Sequence, residues 1–394
     1  MKFLFASDSF KGTLSSMETA KLLSKAAAEV FGEVECVCIP MADGGEGTAD
    51  ALIEACRGER IYASVHDPLM RKREACYGRL DRHSAVIEMA AASGLTLVPE
   101  DKRNPLHTTT YGTGELILDA LDRGFEELII AIGGSATNDG GMGCARALGI
   151  RFLDENGAEL KGTGSELENV RKIDTSGLDP RIQKTRITVM CDVSNPLCGE
   201  NGATYTFAAQ KGASPKEQDR LEKGMCNYRD VIRRQFGVDP DQLFGGGAAG
   251  GLGTMLTVFL NGKMKSGVET VLDITEFDRL LKEADLVITG EGRTDWQSCF
   301  GKVLQGIGVR AGKAGVPVIA LSGSFGEGAD KVYGHGISSM MTTVDAPMTL
   351  QEAMDRAEEL YFRGAIRMFR MLKAGMEIGE KTRDKNLNGQ KEEA

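Results

Sequence analysis

Short apolar runs alternate with longer amphipathic stretches along most of this chain. Residues 3–7 and 34–39 read as strands. Between them Ser15 and Glu18 form a capping box that opens a helix through about Val30, with Gly32 just past its end. A helix over 48–56 precedes three strand-like runs, 61–65, 75–80 and 85–89. Past Ala92 the pattern predicts a helix over 114–121, a buried strand over 128–132, a helix over 142–148 and a strand over 187–191. Three more strands follow at 286–289, 316–321 and 337–342. An amphipathic helix covers 350–371, and the polar tail 376–394 is expected to be flexible.

Strands that alternate with helices imply an α/β fold with mainly parallel sheets. At 394 residues the chain has room for two or three domains. It shows no internal repeat and no proline-rich linker. The expected division is discontinuous: 1–91 joined by 284–375 as one α/β domain, with 92–283 inserted as a second.

Composition narrows the partners. The formal net charge of −10 speaks against duplex nucleic acid and against an anionic membrane surface. No run approaches the ~18 to 20 apolar residues of a membrane span. Asp8 and Lys11 interrupt the apolar N-terminus too early for a signal peptide. The nine cysteines are scattered without a C-x-x-C, which reads as reduced thiols in a cytoplasmic protein.

Chemistry gathers where the glycines do. There are 50, against a usual share of about 7%. They cluster with acidic and amide residues in ADGGEGT (42–48), GGSATNDGG (133–141), GGGAAGGLG (245–253) and GEGRTD (290–295). DSFKG (8–12) and CDVSNPL (191–197) also follow predicted strands, where open α/β sheets bind ligands. None of these is a Walker A loop, a G-x-G-x-x-G fingerprint or a G-x-S-x-G elbow. Only four histidines are present, which weakens zinc and Ser-His readings.

Most of the candidates have a plainer alternative. Gly133, Gly134, Ser135, Thr137 and Asn138 suit a phosphate cradle at a helix start, and Asn138 or Asp139 equally suits a helix cap. Asp43 and Glu46 can flank Mg²⁺ or cap the next helix. Lys11 can screen a phosphoryl group or be a solvated surface lysine. Arg293 can capture a carboxylate or phosphate, or pair with Glu291 or Asp295. Asp192 and Asn195 can orient a hydroxyl or bind metal, and Gln210-Lys211-Gly212 is a further polar turn.

Taken in order, DSFKGTLSS, PMADGGEGTADAL, GTGELILDAL, IGGSATNDGGMG, CDVSNPLCG, QKGAS, GAAGGLG and GEGRTDWQS resemble the blocks of the bacterial glycerate kinase family of the first type. With Gly301-Lys302 and VPVIALSG the resemblance reaches about Gly323. FAAQKGA (207–213) stands where the family usually reads close to FGPQKGA, a mild difference.

The resemblance implies ATP- and Mg²⁺-dependent phosphorylation of D-glycerate. It also implies two α/β domains, three-layer-like, the middle one inserted, with the site in the cleft between them. It tilts towards the 2-hydroxyl over the 3-hydroxyl. On the matched positions the roles that physical reasoning suggests are as follows. Asp192 or Asp43 orients the hydroxyl or takes its proton, and Lys11 and Lys211 screen phosphate. Arg293, with Asn195 and Lys211, holds the substrate. Gly133, Gly134, Ser135, Thr137 and Asn138 cradle ATP phosphates, and Glu46, Asp139 and Asp295 meet Mg²⁺. A homodimer is left open. The rival readings are a metal-dependent phosphohydrolase and a non-catalytic nucleotide or glycerate sensor.

Overall fold

The computed structural model describes the backbone of residues 1–392 and the side chains through 382, in each case apart from Asp43, Glu46 and Phe300. The main strands in chain order are β1 (Lys2–Phe5), β2 (Glu35–Cys38), β3 (Glu59–His66), β4 (Lys72–Arg79), β5 (Ser84–Glu88) and β6 (Glu127–Ala131). They continue with β7 (Arg186–Met190), β8 (Lys263–Lys265), β9 (Leu286–Thr289), β10 (Val318–Ser322) and β11 (Ser339–Thr342).

The chain divides into two compact units, Met1–Ala42 with Val271–Ala394, and Asp43–Thr270. The division therefore falls about 49 residues earlier than the expected 91/92, and at 270/271 where 283/284 was expected. The physical reason is strand pairing. β3 and β4 form an antiparallel ribbon, β4 pairs β5, and β5 pairs β6 in parallel, which carries all three into the second unit's sheet. Asp67 fixes the β3–β4 turn: its Oδ1 accepts from the backbone N–H of Leu69 at 2.8 Å and of Arg71 at 2.9 Å.

The first unit is a five-stranded sheet in the order β11-β10-β9-β1-β2, every pairing parallel. Helix Ser16–Phe31 links β1 to β2 and begins with the expected capping box at Ser15 and Glu18. Such sheets are buried on both faces and read as unbroken apolar runs, as β9 does, with all four residues buried. Phe3 stacks on Phe369 at 5.7 Å in a core that also holds Phe5, Leu23, Ile288 and Leu321. Each such side chain contributes roughly 1.5–3 kcal/mol on burial.

The C-terminal helix differs from expectation. Arg356 departs from helical backbone (φ −109°, ψ 19°) and separates Leu350–Asp355 from Ala357–Glu392. The backbone stays helical through 392 where a flexible tail was expected. Its run of Glu, Lys and Arg has good helix propensity despite Gly379 and Gly389.

The second unit is a six-stranded sheet, β8-β7-β6-β5-β4-β3, in which β8 to β5 run parallel. Ile87, Leu128, Ile130 and Val189 form its core with Leu116 and Met255 from flanking helices. Two helices lack a counterpart in the sequence reading: the long Pro215–Phe236, and Ala248–Leu260, whose backbone is regularly helical only after Gly251. No helix of the described residues is long and apolar enough to cross a membrane.

Candidate functional site

In the second unit the carboxyl ends of β6 and β7 open on a cavity of about 360 Å³. Gly133, Gly134 and Ser135 line it directly after β6, Asp192 directly after β7, and Gln210 and Lys211 from a neighbouring turn. The wall is built by close backbone approach. The Gly133 N–H donates to the Gly44 carbonyl at 3.2 Å, and a Cβ on Gly133 would lie 2.8 Å from that oxygen. Gly134 sits at φ +74°, and its carbonyl accepts from Leu95 N–H at 2.9 Å.

Lys211 is the notable cation. It is only 3% exposed. Its Nζ donates to Ser135 Oγ and to the Thr137 carbonyl, both at 2.7 Å. Burial pulls its pKa down to about 7, against the opposing pull of Asp139. An ammonium so poorly solvated gains from any anion that enters the cavity.

Thr137, Asn138 and Asp139 are wholly buried and do not line the cavity. Thr137 Oγ1 and Asn138 Oδ1 have no hydrogen-bond partner among the described residues, while Asn138 Nδ2 donates to Thr204 Oγ1 at 3.3 Å. Asp139 was expected at a metal. Instead its carboxylate accepts from Thr110 N–H and Thr110 Oγ1, each at 2.8 Å, and from Gly141 N–H at 3.1 Å and Gly143 N–H at 3.2 Å. Those two glycines start helix Met142–Ala147, so the capping alternative describes Asp139. Burial still raises its pKa, with the hydrogen bonds working the other way.

The GGGAAGGLG segment supports this loop from behind, a role the sequence reading left unassigned. Ala249, Gly250 and Gly251 are consecutive left-handed residues at φ 52°, 66° and 91°. Gly140 N–H donates to the Gly250 carbonyl at 2.9 Å, and a Cβ on Gly250 would lie 2.1 Å from the Thr137 carbonyl. Ala249, at a backbone geometry that costs a non-glycine residue about 1–3 kcal/mol, lines the cavity with Phe207 and Leu95.

Asp192 is exposed at the cavity, its Oδ1 accepting from Gly267 N–H at 3.0 Å. Asn195 faces elsewhere: its Nδ2 donates to the Asn201 carbonyl at 2.8 Å and to Thr206 Oγ1 at 3.3 Å, bracing its own loop. Asp43 and Glu46 lie outside the described residues.

Lys11, Arg293 and Asp295 belong to the first unit. There β1 connects outward to β2 on one side, while β9 leads to β10 and β11 on the other, so the strand order reverses between β1 and β9. Ligands bind at such reversals, beyond the strand carboxyl ends. The loops that meet there carry Lys11 after β1 and Arg293 and Asp295 after β9, joined by Asp8 N–H donating to the Gly290 carbonyl at 2.8 Å. Arg293 is exposed, 3.8 Å from Asp295 Oδ2, and Asp295 Oδ1 accepts from Gln297 N–H at 2.9 Å. Glu291 is buried against Ser298 and Thr294, and burial raises its pKa.

Comparison with known proteins gives one consistent picture. The model of the "Glycerate kinase family" matches residues 3–373. A protein named glycerate kinase from Halalkalibacterium halodurans is 46% identical over 92% of this chain and 96% of its own. Glycerate 2-kinase of Escherichia coli K12 is 44% identical over 95% of this chain and 99% of its own. The crystal structure of a candidate glycerate kinase 2 from Salmonella typhimurium LT2 superposes with a TM-score of 0.86 at 42% identity, covering 96% of this chain and 99% of that one.

Proposed function

This chain belongs to the glycerate kinase family, and from that premise we propose that it transfers the γ-phosphoryl group of ATP, with Mg²⁺, to the 2-hydroxyl of D-glycerate. The products are 2-phospho-D-glycerate and ADP. The observation that carries this reading is the buried Lys211, tied to Ser135 at 2.7 Å on the wall of a cavity rimmed by Asp192. The relative named glycerate 2-kinase supports the choice of the 2-hydroxyl.

Roles follow unit by unit. In the second unit Ser135 and the glycine backbone at 133–134 accommodate phosphate oxygens, and Lys211 screens their charge. Thr137 and Asn138 act from behind, by shaping that loop. Asp192 accepts a hydrogen bond from the attacking hydroxyl and orients it. Phosphoryl transfer has a loose transition state, so orientation matters more than strong basicity.

In the first unit Arg293 grips a carboxylate or phosphate, and Lys11 adds positive charge. The partly exposed carboxylate of Asp295 is a hard oxygen donor of the kind Mg²⁺ prefers. Bound with ATP, Mg²⁺ neutralises phosphate charge.

The test is ATP-dependent turnover of D-glycerate read through enolase, with and without phosphoglycerate mutase. Signal without the mutase is the expected result. Signal that needs the mutase assigns the 3-hydroxyl, and no signal from folded protein overturns the reading.

A further inference from the structure

Helix Pro215–Phe236 presents Glu222 and Cys226 four residues apart, and so on one face. The loop after β7 brings Cys198 to the same point. The Sγ atoms of Cys198 and Cys226 and a carboxylate oxygen of Glu222 all lie within 4.8 Å of one another. None of the three lines the cavity described above.

Glu222 is 8% exposed. Its Oε1 accepts from Gly199 N–H at 2.6 Å and from Cys226 Sγ at 3.6 Å. Its Oε2 is buried with no hydrogen-bond partner among the described residues. A carboxylate oxygen left that way is costly. The nearby guanidinium of Arg229 is committed to Asp230 at 2.9 Å and Asp241 at 3.1 Å. Both thiols are free.

Two thiols and a carboxylate are the donor set of a thiophilic divalent cation. Ligand atoms around tetrahedral zinc stand about 3.8 Å apart, given Zn–S bonds of about 2.3 Å. Side-chain adjustment alone closes a cluster already this compact. A Cys198–Cys226 disulfide accounts for the thiols but leaves Glu222 Oε2 buried and unpartnered, whereas a cation accounts for all three groups.

We propose that Cys198, Glu222 and Cys226 bind one zinc-type cation, with water in the fourth position on the half-buried Cys226 side. Each thiol yields its proton to solvent as its metal–sulfur bond forms, and no redox change occurs. The ion would staple the loop that follows Asp192 to helix Pro215–Phe236.

The test uses the full-length protein, reduced and stripped with a chelator, then titrated with Zn²⁺ alone. Cysteine alkylation is mapped by mass spectrometry at each step. The expected result is protection of Cys198 and Cys226 together, saturating near one equivalent and reversed by chelator. Titration with Co²⁺ should give a thiolate charge-transfer band that Cys226→Ser weakens by half or more, and Glu222→Gln should weaken Zn²⁺ binding at least tenfold. No protection at saturating Zn²⁺, protection spread over the other cysteines, or a Cys198–Cys226 disulfide in the untreated protein that alone explains the protection would each overturn the proposal. The alkylation map needs no variant, so a variant that fails to fold leaves the test intact.

Discussion

The Nζ of Lys211 donates a 2.7 Å hydrogen bond to Ser135 Oγ, with both residues buried at the cavity wall. Lys211→Met keeps the volume and removes the charge. The expected loss in kcat/KM is about 10²-fold or more, the scale of one oxyanion-type donor, with circular dichroism unchanged. Lys211→Arg should not restore activity, because a planar guanidinium does not fit a site built for a compact ammonium. Steady-state kinetics of the two variants checks both statements.

Lys211 should also take up a proton when an anion binds. Its pKa of about 7 leaves it mostly neutral above neutral pH in the free protein. A bound anion favours the ammonium and moves that pKa upward. Affinity for 2-phospho-D-glycerate should therefore fall as pH rises above 7. The ligand's own charge is nearly constant there, since phosphomonoesters lose their second proton near pH ~6. Calorimetry in two buffers of different ionisation enthalpy should show net proton uptake by the wild type and none by Lys211→Met.

Asp139 and Asp192 should separate cleanly. Asp139→Asn places an amide against the N–H donors of Thr110, Gly141 and Gly143, and it should cost about 1–3 kcal/mol of stability. Its turnover per folded molecule should stay within a few-fold of wild type. Asp192→Asn, at an exposed position, should leave the urea midpoint nearly unchanged and lower kcat at least tenfold, consistent with a positioning role. Loss of activity in folded Asp139→Asn would return that residue to the metal.

Glycine is required at 250 for two reasons and at 237 for one. Gly250→Ala combines φ +66° with a Cβ 2.1 Å from the Thr137 carbonyl and should abolish soluble folded protein or displace the loop 133–141. Gly237, at φ +68° with nothing within 4 Å, should lose only about 1–2 kcal/mol as alanine. Equilibrium urea unfolding of the pair measures the difference.

Ten of the eleven main strands were legible, because buried parallel strands are short apolar runs that end in glycine loops, as 128–132 and 286–289 do; β8, three residues of which two are lysines, was not. Helix Pro215–Phe236 was not read, although Ser214, Pro215 and Glu217 spell its capping box and Leu221, Met225, Tyr228 and Ile232 repeat at four, three and four. Its many charged residues hid that stripe. The Gly133–Ser135 turn, Lys211 and Asp192 were legible as candidates, because their residue types carry the chemistry. That Asp139 is sealed behind the wall, and that Asn195 turns to Asn201, depends on tertiary burial that local sequence does not encode. The early domain boundary was missed for a similar reason: β3 to β5 look like any strands until their pairing with β6 is seen.

The discontinuity of the first unit sets an order of events during synthesis. β1 lies between β2 and β9, and 228 residues, Asp43–Thr270, emerge between those two neighbours. At translation rates of about 5–20 residues per second that interval is roughly 10–45 s. The nascent N-terminus waits for it with one edge of β1 unpaired, while a contiguous stretch of chain completes its own sheet. A ribosome-bound chain from which Thr270 has just emerged is thus a folded body led by an unfinished pair of strands, and that pair is where a chaperone would find its substrate.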